Sequence, residues 1–278
     1  VKTLYVSDLD GTLLNSSLRV SDASVQMINV LIGEGLPFTI ATARSIESAR
    51  ELLSGIHLSL PAVFMNGVFI THPQTGETVR EHFLPCSVGE AIVDAYLREG
   101  LKPVVYTIDG EDASRVYYRG VHNRSEELYI GDRLQTQSER FRITSDFTAC
   151  LQEKLITVNA IDLPEKLEPV YKAFSEREDC ICHYGPDVYC PGYYWLEISS
   201  AHATKSRAVL EVKERYGYNR VVVFGDNLND LSMFEIADES YAVANAHELV
   251  KQAASRVIDS NDDDGVARFL AERKRNGK

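Results

Sequence analysis

Thr3-Leu4-Tyr5-Val6-Ser7-Asp8-Leu9-Asp10-Gly11-Thr12-Leu13-Leu14 is an apolar run that stops abruptly in two carboxylates, a glycine and a threonine. Such a run reads as a buried strand that delivers its acids to the edge of a sheet. Side chains alternate along a strand, so Asp8 and Asp10 start on one side and Leu9 on the other. Gly11 permits a sharp exit and a close approach to the backbone. Two like charges this near repel unless a cation or a shared proton relieves them. The stretch therefore reads as a Mg²⁺ site with a nucleophilic carboxylate. The competing reading is a strand followed by an ordinary Asp-Gly turn, and residues elsewhere must decide between them.

A second stretch has the same design. Val221-Val222-Val223-Phe224-Gly225-Asp226-Asn227-Leu228-Asn229-Asp230 is again a buried strand ending in acids. Carboxylates from two neighbouring strand ends could share one hard cation, although Asp226 or Asn227 could equally cap the following helix. A hydroxyl, Thr42, also falls just past an apolar strand, Pro37-Phe38-Thr39-Ile40-Ala41, and is followed by Ala43 and Arg44. Lys205 falls at the expected start of a helix, after Thr204. A cation there opposes the helix dipole, which suits a role facing an anion better than simple solvation.

Around these stretches the first third alternates strand and helix. Helical stripes fall at Val25, Ile28, Leu31 and Ile32 and over residues 45–53, with a short strand at Ala62-Val63-Phe64-Met65. Alternation at this spacing implies right-handed crossovers and a largely parallel sheet. From Val68 the rhythm changes to a hairpin, then to paired strands with helices expected over 88–98 and 164–176. It returns to alternation after about residue 191, with helices expected over 204–216, 228–236 and 266–275. The expectation is an α/β Rossmann-like core from residues 1–83 and 192–278, with an α+β unit inserted at 84–191.

The chain has 278 residues, of which 44% are hydrophobic and 25% charged, as in a globular protein large enough for two units. Its net charge of −12 argues against general affinity for nucleic acid, where phosphate neutralisation needs clustered Lys and Arg. No apolar run approaches the roughly 20 residues of a membrane helix, and no basic-plus-apolar leader opens the sequence. A soluble, cytoplasmic protein is expected. Its five cysteines, Cys86, Cys150, Cys180, Cys182 and Cys190, read as reduced thiols. Cys180, Cys182, His183 and Cys190 lack paired Cys-x-x-Cys spacing, so small core residues are the preferred reading over zinc.

Taken together, Asp8-Leu9-Asp10-Gly11-Thr12, Thr42, Lys205 and Gly225-Asp226-Asn227-Leu228-Asn229-Asp230 resemble, in order, the four motifs of the haloacid dehalogenase superfamily. The long gap between the second and third is similar to the Cof-type branch, which carries an α+β cap there. Ala41-Thr42-Ala43-Arg44, Asn66-Gly67, Glu197-Ile198 and Asp264-Gly265-Val266-Ala267 also look like that branch. The resemblance covers essentially the whole chain.

It implies a Mg²⁺-dependent phosphatase acting on a small phosphorylated metabolite, such as a sugar phosphate. Asp8 would be the nucleophile and Asp10 the general acid and base. Asp8, the backbone carbonyl of Asp10, and Asp226 would hold the metal. Thr42 and Lys205 would hold phosphate oxygens, with Ala43, Arg44, Asn66 and Asn229 among the substrate contacts and Asp230 in support. Arg44 fits loop ordering better than a phosphate clamp. Ala43 and Ser206 stand where Gly is common, and Asn227 replaces a usual Gly, a mild change because Asn tolerates positive φ. A cap would exclude water and select the leaving group, with residues near His122, Arg124 or Asp187 reaching the substrate. Tyr184, Tyr189, Tyr193, Tyr194 and Trp195 read as a packed sheet face in preference to a ring-binding surface. A phosphomutase of the same superfamily, or a non-catalytic phosphometabolite-binding protein, would carry similar motifs. Oligomeric state is not encoded at this level.

Overall fold

The computed structural model describes residues 2–187 and 190–277. The chain divides into two compact units, Val1–Glu81 with Ala203–Lys278, and His82–His202. The first unit begins with β1 (Thr3–Ser7), α1 (Asp22–Gly33), β2 (Phe38–Ile40), α2 (Ile46–Leu53), β3 (Ala62–Phe64), β4 (Phe69–Thr71) and β5 (Thr78–Glu81). The inserted unit carries α3 (Cys86–Arg98), β6 (Val104–Ile108), β7 (Ser114–Tyr118), α4 (Arg124–Gln137) and β8 (Phe141–Ile143). It continues with β9 (Lys154–Asp162), α5 (Pro164–Phe174), β10 (Cys180–Pro186) and β11 (Tyr194–Ser200). The first unit resumes with α6 (Lys205–Arg215), β12 (Arg220–Gly225), α7 (Leu231–Ile236), β13 (Glu239–Val243), α8 (Glu248–Ala253), β14 (Arg256–Ile258) and α9 (Gly265–Arg275).

The core sheet is parallel throughout, in the order β14-β13-β12-β1-β2. Its central strands are sealed on both faces: Leu4 and Val6 of β1 and Val221, Val222, Val223 and Phe224 of β12 are all fully buried. That is why these runs are continuously apolar rather than alternating. Each such side chain contributes roughly 1.5–3 kcal/mol through burial. Helices begin on capping residues: the side chains of Ser21, Ser45 and Thr204 accept backbone N–H groups at the starts of α1, α2 and α6. The hairpin expected after Val68 forms a small antiparallel sheet, β3-β4-β5.

The inserted unit has a six-stranded sheet, β10-β11-β9-β6-β7-β8, antiparallel except between β7 and β8. Its own core includes Val88, Ile92 and Tyr96 of α3 and Leu167, Val170 and Phe174 of α5, packed with Val158, Leu196 and Ile198. The exit boundary differs from the one read in the sequence. The expected boundary at residue 191 falls before β11, yet β11 pairs along its length with β10 and β9, so the insertion runs to His202. Sequence reading also gave no element to α4, α8 or β8. α4 buries only Ser125, Glu126 and Ile130, too sparse a pattern for an apolar stripe. All five cysteines are free thiols. No helix among the described residues is long and apolar enough to cross a membrane.

Candidate active site

The sheet order places the site. From β1 the chain moves to β2 on one side, and after the insertion it returns to β12 on the other. The carboxyl end of β1 is therefore the point where the winding reverses, the place at which open α/β sheets form a ligand crevice. Register does the rest. Ser7 sits opposite Ile40 and Phe224, the Asp8 N–H donates to the Phe224 carbonyl at 2.9 Å, and the Ala41 N–H donates to the Ser7 carbonyl at 2.9 Å. Asp8 thus emerges between the strand ends that lead to Thr42 and to Asp226.

Lys205, the first residue of α6, is 2% exposed. Its ammonium donates to Asp8 Oδ1 at 2.6 Å and to Asp230 Oδ1 at 2.8 Å. Burial works against that charge, but Asp230 and Asp8 outweigh it and hold the lysine's pKa above its ordinary value. The misplaced cation at a helix start is thus explained by two carboxylates. Asp230 spends its other oxygen on the backbone N–H groups of Asp226 and Asn227, at 3.0 and 3.2 Å. Asn227 in turn caps a 3₁₀ turn over Leu228–Asp230 with its own side chain. So the helix expected over 228–236 starts as a 3₁₀ turn. Asn227 has φ −124°, an extended conformation in which tolerance of positive φ plays no part.

Asp8, Asp226 and Asp230 place carboxylate oxygens within 4.8 Å of one another. Three carboxylates and one ammonium leave a formal charge of −2, which a divalent cation would balance. Burial, reinforced by Asp230, raises the pKa of Asp8 well above the usual range. The same causes push Asp226 up to about 6. In both, burial and neighbouring carboxylates outweigh the lowering effect of Lys205. Thr12 Oγ1 donates to Asp226 Oδ1 at 2.8 Å. Gly11, at φ +72°, lies so close to this carboxylate that a Cβ would sit 2.3 Å from Asp226 Oδ2. Both Asp230 oxygens already accept donors, so Asp230 orders the group, while Asp8 and Asp226 could each offer an oxygen to a metal. An all-oxygen donor set of this kind suits a hard cation.

Asp10 lies outside that carboxylate group. Arg44 holds it with Nε on Oδ2 and a terminal nitrogen on Oδ1, each at 2.7 Å. Thr42 is fully buried, and its hydroxyl accepts the Arg44 N–H at 3.1 Å. The Asn66 N–H donates to the Thr42 carbonyl at 3.0 Å and the Met65 N–H to that of Arg44 at 2.9 Å. Met65 and Asn66 both have positive φ, 50° and 53°, a local strain of roughly 1–2 kcal/mol per residue. The next residue, Gly67, is forced by packing: a Cβ there would lie 2.4 Å from the Thr204 carbonyl, beside Lys205. Ala43 is exposed, so its methyl group does not crowd the buried loop. Asn229 is half-buried on the 3₁₀ turn, one residue before Asp230. The structure thus unites Asp8, Lys205, Asp226 and Asp230 directly, joins Asp10 to Arg44, and ties Thr42 to Asn66 through the backbone. Thr12 is a member that sequence reasoning left without a role, although it stands inside the first motif.

In the inserted unit, the Ser125 hydroxyl donates to the buried Asp187, while Arg124 pairs with Glu127 at 2.6 Å. His122 gives its N–H to Glu126 at 2.7 Å. Tyr184 stacks on Tyr171 at 4.7 Å and meets Tyr194 at 5.3 Å, while Trp195 sets its edge on Tyr129 at 4.5 Å. These contacts set rings of β10 and β11 against one another and against α5 and α4. Tyr189 lies outside the described residues.

Comparison with known proteins agrees with this architecture. Residues 5–270 match the haloacid dehalogenase-like hydrolase family. The chain is 30% identical to the 5-amino-6-(5-phospho-D-ribitylamino)uracil phosphatase YitU of Bacillus subtilis, over 97% of this chain and 96% of that protein. It is 24% identical to the pyridoxal phosphate phosphatase YbhA of Escherichia coli, over 95% of each. In fold it is similar to a haloacid dehalogenase-like hydrolase from Bacteroides thetaiotaomicron, with TM-score 0.79, 24% identity, and 98% and 99% of the two chains covered. The chain belongs to the haloacid dehalogenase-like hydrolases, in their Cof-type branch, and is a phosphomonoester hydrolase.

Proposed function

We propose that the protein is a Mg²⁺-dependent phosphatase of a small phosphorylated metabolite, working through an aspartyl-phosphate on Asp8. The observation that supports this best is the buried Asp8–Lys205–Asp230 chain beside Asp226. Lys205 clamps one oxygen of Asp8 and so orients the carboxylate that attacks phosphorus. The Asp8 oxygen–phosphorus bond forms as the ester oxygen leaves, and Asp10 supplies that oxygen's proton. Water then attacks phosphorus, gives its proton to Asp10, and frees Asp8. Arg44 takes one lone pair of each Asp10 oxygen, so it orients the carboxyl and leaves a second lone pair on each oxygen for the proton.

Lys205 and the Thr42 hydroxyl would hold non-bridging oxygens, where charge must be offset in the transition state. The Ala43–Arg44 loop, Asn66 and Asn229 would line the approach of the phosphate. Asp8, Asp226 and the carbonyl of Asp10 would hold Mg²⁺, with Asp230 in support. The ion supplies charge neutralisation between nucleophile and phosphate.

The relatives' named substrates, a phosphoribitylaminouracil and pyridoxal phosphate, both join a phosphoester to a ring system. A phosphomonoester of similar size, a sugar phosphate included, is the class proposed here. The test is a panel of phosphorylated metabolites with Mg²⁺, scored for free phosphate and for isomer formation. Phosphate release supports the reading. Isomer without phosphate would count for a mutase, and inertness toward the whole panel would count against this reading.

A further inference from the structure

The segment after Asp10 is neither strand nor helix. The N–H groups of Leu13 and Leu14 both donate to the Leu9 carbonyl, and the Asn15 N–H donates to the Arg19 carbonyl at 2.9 Å. Asn15 Oδ1 also accepts the N–H groups of Ser17 and Arg19, and Leu18 takes φ 55° at the tip. Such a pair of tight turns has little regular structure to hold it in place, yet it begins at the residue between Asp10 and Thr12.

Its anchors come from the far end of the chain. Asn245 Nδ2 donates to the Gly11 carbonyl at 2.7 Å. Asn245 Oδ1 accepts the Asn261 N–H at 3.0 Å, and Asn261 Nδ2 donates to the Leu14 carbonyl at 2.8 Å. Asp262 accepts the Ser16 N–H at 2.8 Å, and Asp264 accepts the hydroxyls of Ser21 and Ser24 at the start of α1. Gly265 lets this terminal turn close, since a Cβ there would lie 2.0 Å from the Asp259 carbonyl. The acidic run is thereby accounted for without a second cation. Asp262 and Asp264 serve the segment after the nucleophile, and Asp263 accepts the Ser260 hydroxyl at 2.6 Å.

We propose that Asn245, Asn261 and Asp262 form a clamp that fixes the Gly11–Thr12 peptide, with Asn245 as a positioning residue for Asp10 and Asp226. The chemical logic is one of leverage. Thr12 holds Asp226 through its hydroxyl, and the Gly11 backbone lies so close to that carboxylate that a Cβ there would clash. A carbonyl pinned between them therefore sets both acids together. The kinetic part of this inference rests on the phosphatase reading; the structural part does not.

The experiment compares the full-length wild type with Asn245→Ala and Asn245→Asp. The aspartate keeps the shape and the acceptor for Asn261 but cannot donate to the Gly11 carbonyl. Hydrogen exchange in metal-free protein is expected to quicken about tenfold over residues 12–19 in both variants, with β12 unchanged, as loss of one hydrogen bond requires. With p-nitrophenyl phosphate and Mg²⁺, kcat is expected to fall about tenfold to a hundredfold while KM stays within about twofold. Exchange and kcat both unchanged in Asn245→Asp would overturn the clamp. So would faster exchange spread evenly over the whole unit, which marks general loosening. A wild type that hydrolyses nothing would count against the phosphatase reading, and the exchange result alone would then decide the clamp.

Discussion

Arg44 grips Asp10 by both carboxylate oxygens, 2.7 Å on each side, and leaves the other three site carboxylates to Lys205, Thr12 and the backbone. The pair is partly open to water, with side-chain exposures of 24% and 40%, so its contribution to stability is about 1 kcal/mol or less. Its contribution to Asp10's placement is geometric. Arg44→Met is expected to lower kcat about tenfold to a hundredfold with an unchanged melting temperature. Arg44→Lys should not restore activity, because an ammonium cannot reproduce the two-pronged grip. Steady-state kinetics beside a thermal melt checks both statements.

Asp8→Asn should abolish turnover, by about a thousandfold or more, or roughly 4 kcal/mol of barrier. It should leave the fold intact, because it removes a buried charge that already resists ionisation. Melting at or above the wild-type temperature in metal-free buffer, together with lost phosphatase activity, is the expected pattern. Undiminished turnover would remove Asp8 as nucleophile.

Lys205→Met should behave in the opposite way. It leaves Asp8 and Asp230 buried without their shared cation, a loss of about 3–5 kcal/mol. The loss should shrink at pH 5, where the raised pKa values of Asp8 and Asp226 let protons replace the missing charge. Denaturant unfolding at pH 5 and pH 8 reads the difference directly.

Asp226, raised to about 6 by burial and then by Asp230, makes the metal-free protein sensitive to pH. A carboxyl whose pKa rises on folding stabilises the folded chain while protonated. That stabilisation is complete below the unfolded value near 3.8 and disappears as pH climbs through about 6. Metal-free protein should therefore melt higher at pH 5 than at pH 7.5, and Mg²⁺ should raise the melt more at pH 7.5. Glu126, raised by burial to about 7, acts in the same direction, so Asp226→Asn is the variant that isolates the site's share. A melting temperature indifferent to EDTA and Mg²⁺ at pH 7.5 would count against a cation between these acids.

Reading the sequence went furthest where the information is local. The apolar runs of β1 and β12, each ending in acids, and the capped stripes of α1 and α6 follow from strand and helix periods. It went less far in the insertion, where β11 belongs with β9 and β10 because of pairing partners that no period records. α4 escaped for a related reason: its N-terminus rests on the Asn123 cap, which accepts the Glu126 N–H at 2.8 Å, and its apolar face is thin.

By itself, the sequence determined which residues could carry the chemistry and the order in which they occur, since residue type and spacing are written along the chain. Only the tertiary structure decided their company. Lys205 faces Asp8 and Asp230, Arg44 faces Asp10, and Asn245 faces Gly11 because parallel register and chain reversal at β1 bring remote segments within hydrogen-bond reach. Such partnerships depend on distances in space, and separation along a sequence does not encode them.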